Sequence, residues 1–358
     1  MTHFLQDILR QPQELERVLG YLCGAGRQSL QTAAEAIRKA RHVYLTGIGS
    51  SWHAAFGAGA IFSGAGQPVY MQDAGELVQF ATLPADSVII TISRSGRSVE
   101  IVNLLAKARA SGATVIGITN SADGALAQEA QISIMVPVLR DHAISVNTYS
   151  TLAVGAAALA RAAIDSFDGE LAARLGNAVS ETKRRIPGWQ EQIAGNDWFA
   201  PGKTVHFLAR GGSLGSCHEA RLLWEEGAKS EATALGTGSF RHGPQEAVVE
   251  GSRFAMWIDG QRSREPDLSI ARDLRQLGGS AMLIGENVPP EAGDLVFQLP
   301  DVPAEWQFMI DILPAQLAAE YLARLSGVDC DSFRICSYIV EDEYGLIGAE
   351  VAARKDVE

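Results

Sequence analysis

Three groups of residues have the types and spacing to do chemistry. In EARLLWEE, Glu219, Leu222, Leu223 and Glu226 recur at i, i+3, i+4 and i+7, so a helix there sets two carboxylates on one face with two leucines. A carboxylate on a partly apolar face holds its proton more tightly than one in water, which suits it to act as a base near neutrality. Glu225 lies off that face and reads as part of a solvated acidic patch. His242, in Arg241-His242-Gly243-Pro244, is fixed ahead of Gly-Pro and serves either acid–base chemistry or structure.

The third group is TISRSGRSVE, residues 91–100, which follows the apolar run Ser87-Val88-Ile89-Ile90 and precedes Ile101-Val102-Asn103-Leu104-Leu105. Two readings fit. Ser95 or Ser98 caps a helix that starts near Val99. Alternatively, the N–H groups at that helix start and the hydroxyls around Gly96 hold a phosphate. Gly47-Ile48-Gly49-Ser50-Ser51-Trp52-His53 makes a similar turn after an earlier strand, so the two loops could face one ligand. Without a full GxGxxG fingerprint and its downstream acid, a dinucleotide is disfavoured there.

The elements that must carry these loops alternate. Short β-rich runs at 42–46, 68–71, 87–93, 113–119 and 131–137 are separated by Ala-, Leu- and Gly-rich helical stretches, the βαβ pattern of a parallel sheet covered on both faces. The second half repeats the order. VHFLARGGSLG (205–215) parallels VYLTGIGSSWH (43–53), RFAMWIDGQRSRE (253–265) parallels SVIITISRSGRSVE, GGSAMLIGEN parallels GATVIGITN, and DLVFQLP parallels QISIMVP. Long helices follow at 148–166 and 306–326. Duplication into two α/β subdomains explains this. We expect 1–170 as an N-terminal helix plus the first subdomain, 171–194 as a helical linker rich in Arg, Lys, Glu and Gln, and 195–358 as the second subdomain with a C-terminal loop. In the second copy the serine cluster is replaced by Gly260-Gln261-Arg262-Ser263-Arg264, so if the chain holds one anion site, it belongs in the first half.

Composition narrows the partners. A net charge of −12 argues against nucleic acid and anionic membranes, so an anionic ligand must be met by local donors. The first residues, MTHFLQDILRQPQELERVLGYL, interrupt their apolar positions with Asp7, Glu14 and Glu16, unlike a signal peptide, and read as an amphipathic helix broken near Pro12. Leu152–Ile164 is short for a bilayer and carries Arg161. Cys23, Cys217, Cys330 and Cys336 form no metal-type cluster, so we expect free thiols, a cytoplasmic location, no metal and no cofactor.

Together, GIGSSWHA, SRSGRSVE and ARGGSLGSCHEARLLWEEGAKSEATALGTGSFRHGP resemble the sugar isomerase (SIS) family, in particular the isomerase domain of glutamine–fructose-6-phosphate aminotransferase. The resemblance runs over nearly the whole chain, in the family's order and spacing. It implies two tandem SIS subdomains, each a flavodoxin-like three-layer sandwich. It makes Ser93, Arg94, Ser95 and Ser98 the phosphate cradle, and sets Ser51, Val146 and Thr148 against the sugar. Glu226 becomes the base that moves a proton between C1 and C2. His242 becomes the group that assists ring opening, supplied by the neighbouring subunit of a homodimer with shared active sites.

The departures point elsewhere than synthesis. Leu223 stands where the synthase resemblance implies a lysine, and DCDSFRICSYIVE offers Cys336 where it implies a Schiff-base lysine. Without an amine nucleophile, imine formation with a free ketose is disfavoured. A glutaminase domain is absent from this stretch as well, so no internal ammonia source is expected. Glu226 and His242 suffice to enolise a ketosamine, so the expectation is an enzyme releasing or transferring an amine from an amine-bearing hexose 6-phosphate, as the family's deglycases and deaminases do. A non-catalytic sugar-phosphate sensor is the other reading. Arg94 and Arg97 stand where the resemblance implies Gln and Glu, so the cradle is more cationic and suits a more acidic conjugate.

Overall fold

The computed structural model describes residues 1–343 together with 345 and 346. The chain divides into two compact units, one of Arg17–Gly169 with the described residues from Asp331 onward, the other of Met1–Glu16 with Glu170–Cys330.

In the first unit, β1 (His42–Thr46), β2 (Tyr70–Met71), β3 (Ser87–Ser93), β4 (Thr114–Thr119) and β5 (Ile132–Met135) form a parallel sheet ordered β2-β1-β3-β4-β5. In the second, β6 (Val205–Ala209), β7 (Ala232–Gly236), β8 (Arg253–Ile258), β9 (Ser280–Gly285) and β10 (Leu295–Gln298) form another parallel sheet, ordered β7-β6-β8-β9-β10. Both read 2-1-3-4-5 within their copy, the doubly wound order in which ligands lie at the carboxyl ends of the strands. The duplication read from sequence is therefore a duplication of topology. Helices flank each sheet, as the βαβ connections require.

Packing fixes the helix behind the serine loop. Every residue of β3 is buried, as a central strand of β-branched residues demands. Tyr44, Ile89 and Val115 from three adjacent strands share one apolar cluster with Ile101, Leu104, Leu105 and Ala108 of the helix Val99–Ser111. Those four recur at i, i+3, i+4 and i+7, and burying each large aliphatic one contributes about 1.5–3 kcal/mol. The start of that helix is thereby held at the end of β3. In the second unit Phe254, Met256 and Ile258 pack likewise with Leu268, Ala271 and Leu274 of the helix Arg264–Gln276.

Several local expectations change. The first helix runs unbroken through His3–Cys23 with Pro12 inside it. Buried Phe4 and Ile8 before the proline, and Leu15, Val18, Leu19 and Leu22 after it, outweigh the roughly 3 kcal/mol a mid-helix proline costs. Pro68-Val69 is not strand; Pro has no N–H to give, and β2 begins at Tyr70. Ala232–Gly236, outside the β-rich runs read from the sequence, forms β7 beside β6. The last long helix starts at Leu313, not at Trp306; Pro314 falls in its first turn, and a short 3-10 turn, Ala304–Met309, precedes it. Residues 171–194 are helical, as Gly169–Ile193, and bury Leu175, Val179, Ile186, Trp189 and Ile193. Trp189 meets Phe297 of β10 edge-on at 6.3 Å, so this helix packs within the second unit. Among the described residues no helix is long and apolar enough to cross a membrane.

Candidate functional site

In the first unit the chain leaves β3 at Ser93 and turns through Gly96 before the helix begins at Val99. Gly96 has φ of +65°, and a Cβ there would lie 3.0 Å from Leu126 Cβ, so glycine alone fits. Ser93 Oγ accepts the Gly96 N–H at 3.0 Å and Ser95 Oγ accepts the Arg97 N–H at 3.2 Å. Ser98 occupies the N-cap, yet its side chain caps no N–H. Capping does not account for its hydroxyl.

This loop opens on a pocket of about 270 Å³ lined by Arg94, Ser95, Arg97, Arg140 and Thr148 among others, with Tyr338 and Ile339 of the C-terminal segment. Three guanidinium groups, beside the Asp141 carboxylate, on one pocket of a chain with net charge −12 make a local positive field that attracts anions against the average one. Arg97 pairs with Asp123, and Arg140 donates to Ser121 Oγ at 2.8 Å. Arg94 donates its main-chain N–H to Ser51 Oγ at 3.3 Å, which joins the loop after β1 to the loop after β3. Ser51, Ser93, Arg94, Ser95 and Thr148 are thus brought together. Val146 is fully buried one turn-start away, at the N-cap of the helix Asn147–Ile164.

Asp141 is the residue that sequence reasoning missed here. Its carboxylate accepts the N–H groups of Val146, Asn147 and Thr148 at 2.9–3.0 Å and the Thr148 hydroxyl at 2.7 Å. It neutralises the N-terminus of that helix and fixes the Thr148 side chain. An acid a few residues ahead of a predicted helix start was the available signal. Ser121 was legible only through topology, because the Ser93–Thr119 pairing of β3 and β4 sets the loops behind them side by side.

Glu219, Glu226 and His242 lie in the second unit. The helix Leu214–Glu226 buries Cys217, Ala220, Leu223 and Trp224, and Trp224 packs edge-on against Phe207 of β6 at 4.9 Å. Glu219 is fully buried and Glu226, the last helical residue, is half-buried. Lys229 donates to the Glu226 carbonyl. Glu225 pairs with Arg221 at 2.6 Å near the surface. His242 is exposed in a turn, its N–H on the Ser239 carbonyl at 3.1 Å, and Gly243 behind it has φ of +127°. Near the start of the same helix, Ser213 and Ser216 donate to the carboxylate of Asp311, which is wholly buried; Ser213 does so at 2.6 Å. Burial pushes this carboxyl up to about 7, against the hydrogen bonds from Ser213, Ser216 and Gln307.

The second-copy loop differs in kind. Asp259 Oδ1 accepts the N–H groups of Gln261 at 2.9 Å, Arg262, and Ser263 at 3.2 Å. A carboxylate of the chain sits among donors of the sort the first copy leaves around its serines. Asp267, fully buried, takes Arg210 Nε and Ser263 Oγ, each at 2.7 Å. Among the described residues no three His, Cys, Asp or Glu side chains stand together as a metal site.

The comparisons agree with this fold. Residues 36–161 match the model of the SIS domain. A glutamine–fructose-6-phosphate aminotransferase of Pyrococcus horikoshii is 27% identical over 352 residues, covering 92% of this chain and 56% of its own; the chain spans little more than half the length of that curated relative. Among solved structures, the C-terminal domain of glucosamine-fructose-6-phosphate aminotransferase from Francisella tularensis superposes with a TM-score of 0.80 at 21% identity, covering 93% of this chain and 98% of that one. Glucosamine-6-phosphate deaminase from Thermotoga maritima does so with the same TM-score and identity, over 95% and 99%. Residues 36–161 therefore form a SIS domain, the second unit repeats its strand order, and the chain is homologous to the isomerase domain of glutamine–fructose-6-phosphate aminotransferase.

Proposed function

We propose that this chain is a phosphosugar enzyme of the isomerase kind that releases an amine from an amine-bearing hexose 6-phosphate. The observation that carries the reading is the loop Ser93–Ser98, held at the end of a buried strand and opening on a pocket with three arginines and Thr148. In this reading the phosphate lies among the hydroxyls and N–H groups of Ser93, Ser95 and Ser98, with Arg94 adding charge. Ser51, Val146 and Thr148 line the sugar.

Glu226 takes the C1 proton of a 6-phosphofructosamine, giving the 1,2-enaminol, and returns it to C2. The product is an imine between C1 and the amine nitrogen; water then cleaves it to an aldose 6-phosphate and the free amine. His242 protonates the ring oxygen to open the sugar. In the reading it comes from the second chain of a homodimer, consistent with its exposure in one chain. Leu223, fully buried, supplies no amine nucleophile, which supports release over synthesis from a free ketose. The names of relatives as an aminotransferase and a deaminase support amine chemistry.

The test is amine release from a 6-phosphofructosamine, followed by product detection, in the parent protein and in Glu226→Gln. Loss of turnover by a factor of about 10²–10⁴ with binding kept is expected for a general base. Full turnover in Glu226→Gln overturns the mechanism, and tight binding with no product in the parent favours a sensor.

A further inference from the structure

Arg94 belongs to the serine loop by its main chain and to another part of the molecule by its side chain. Its guanidinium donates to the Tyr338 carbonyl at 2.7 Å, to Ser145 Oγ at 3.1 Å and to the Ala143 carbonyl at 3.5 Å. Two residues beyond Tyr338, the Val340 carbonyl accepts the N–H of Val99, the first residue of the helix behind the loop, at 3.0 Å. The chain from Arg334 to Tyr338 is exposed, and so is Val340. Such a segment buries little apolar surface, so hydrogen bonds carry a large share of what orders it. Tyr338 and Ile339 nevertheless line the pocket with Ser95 and Thr148.

We infer that Arg94 is a positioning residue, which makes residues 338–339 a wall of the phosphosugar pocket by gripping the Tyr338 carbonyl; the inference rests on the phosphosugar reading of that pocket. A planar guanidinium suits the task, since one fork spans the carbonyl of the C-terminal segment and the Ser145 hydroxyl while its charge strengthens both bonds. A glutamine here, as in the synthase resemblance, has one neutral NH₂ and a shorter reach. Because the phosphate loop and the wall share Arg94 and Val99, a ligand in the pocket and order in the segment favour one another reciprocally.

The experiment compares the parent chain with Arg94→Gln and Arg94→Lys. It reads amide hydrogen exchange of Val99 and of residues 333–343, and the dissociation constant for fructose 6-phosphate. Loss of a charge-assisted bond should speed exchange of Val99 and of the segment by about tenfold in Arg94→Gln and weaken the sugar phosphate by several-fold, with Arg94→Lys between the two. Weakened binding with unchanged exchange would mean that Arg94 contacts the phosphate directly, and would overturn the inference. Unchanged exchange with unchanged binding overturns it as well. Faster exchange in Arg94→Gln, with no fructose 6-phosphate binding in the parent, leaves the role of Arg94 standing and removes the phosphosugar reading instead.

Discussion

Ser93 is the last residue of β3 and Asp259 the first after β8, the matching strand of the second copy, and each accepts the main-chain N–H three residues on. One is a small neutral hydroxyl that leaves the loop open. The other is a carboxylate that gathers three N–H groups for itself. In the proposed reading, that difference makes only the first copy fit for a phosphate: a phosphate at the second loop would displace a carboxylate or share its donors with one.

Asp259→Ala should therefore cost about 1 kcal/mol of stability, the usual value of a lost cap. Inorganic phosphate titrated calorimetrically should still saturate at one per chain in the parent, with heat from the first copy only. Two equal sites in the parent would contradict the asymmetry.

Gly96→Ala should weaken the cradle and the fold together. The φ of +65° and the 3.0 Å approach of Leu126 both oppose a Cβ, and left-handed strain alone costs about 1–2 kcal/mol. Thermal unfolding and phosphate affinity should both fall; an alanine variant as stable and as tight as the parent would show that the turn is not constrained.

Asp311 should make stability depend on pH. Its carboxyl is raised from 3.8 to about 7 in the folded chain, so between those values the folded state keeps a proton that the unfolded state has released. The resulting stability is complete below pH 4 and is lost as pH rises towards 7, by roughly 2–4 kcal/mol. Asp311→Asn, of equal size, should flatten this slope in denaturant titrations at pH 5 and pH 7.5. An unchanged slope would place the proton elsewhere.

Arg97→Glu places a second acid beside Asp123 at the pocket. Binding of a 6-phosphofructosamine built on an acidic amino acid should weaken by about tenfold or more, binding of one built on a neutral amino acid by less, and the gap should shrink at high salt. Equal losses would show that Arg97 meets only the phosphate.

The alternation of elements, the duplication and the serine loop were legible because periodicity and glycine placement are local properties. β7 was not, since Ala232–Gly236 carries a glycine and no large β-branched residue, and its strand state comes from pairing with β6. Pro12 misled for the same reason, as packing on both sides overrode a local rule. Asp141 and Asp259 act through the main chain a few residues on, and their partners became visible only with the turns in place. The grip of Arg94 on Tyr338 joins residues 244 apart, a relation no local pattern encodes.

In the proposed function the first-copy loop holds the phosphate of a sugar phosphate. The most direct measurement is calorimetric titration of fructose 6-phosphate and of unphosphorylated fructose into the parent chain and into a Ser95→Ala, Ser98→Ala double variant. One site per chain is expected for the phosphate ester, at least about tenfold weaker in the double variant, with no measurable binding of fructose. Equal affinity for fructose and its 6-phosphate, or no change on removing the two hydroxyls, would contradict it.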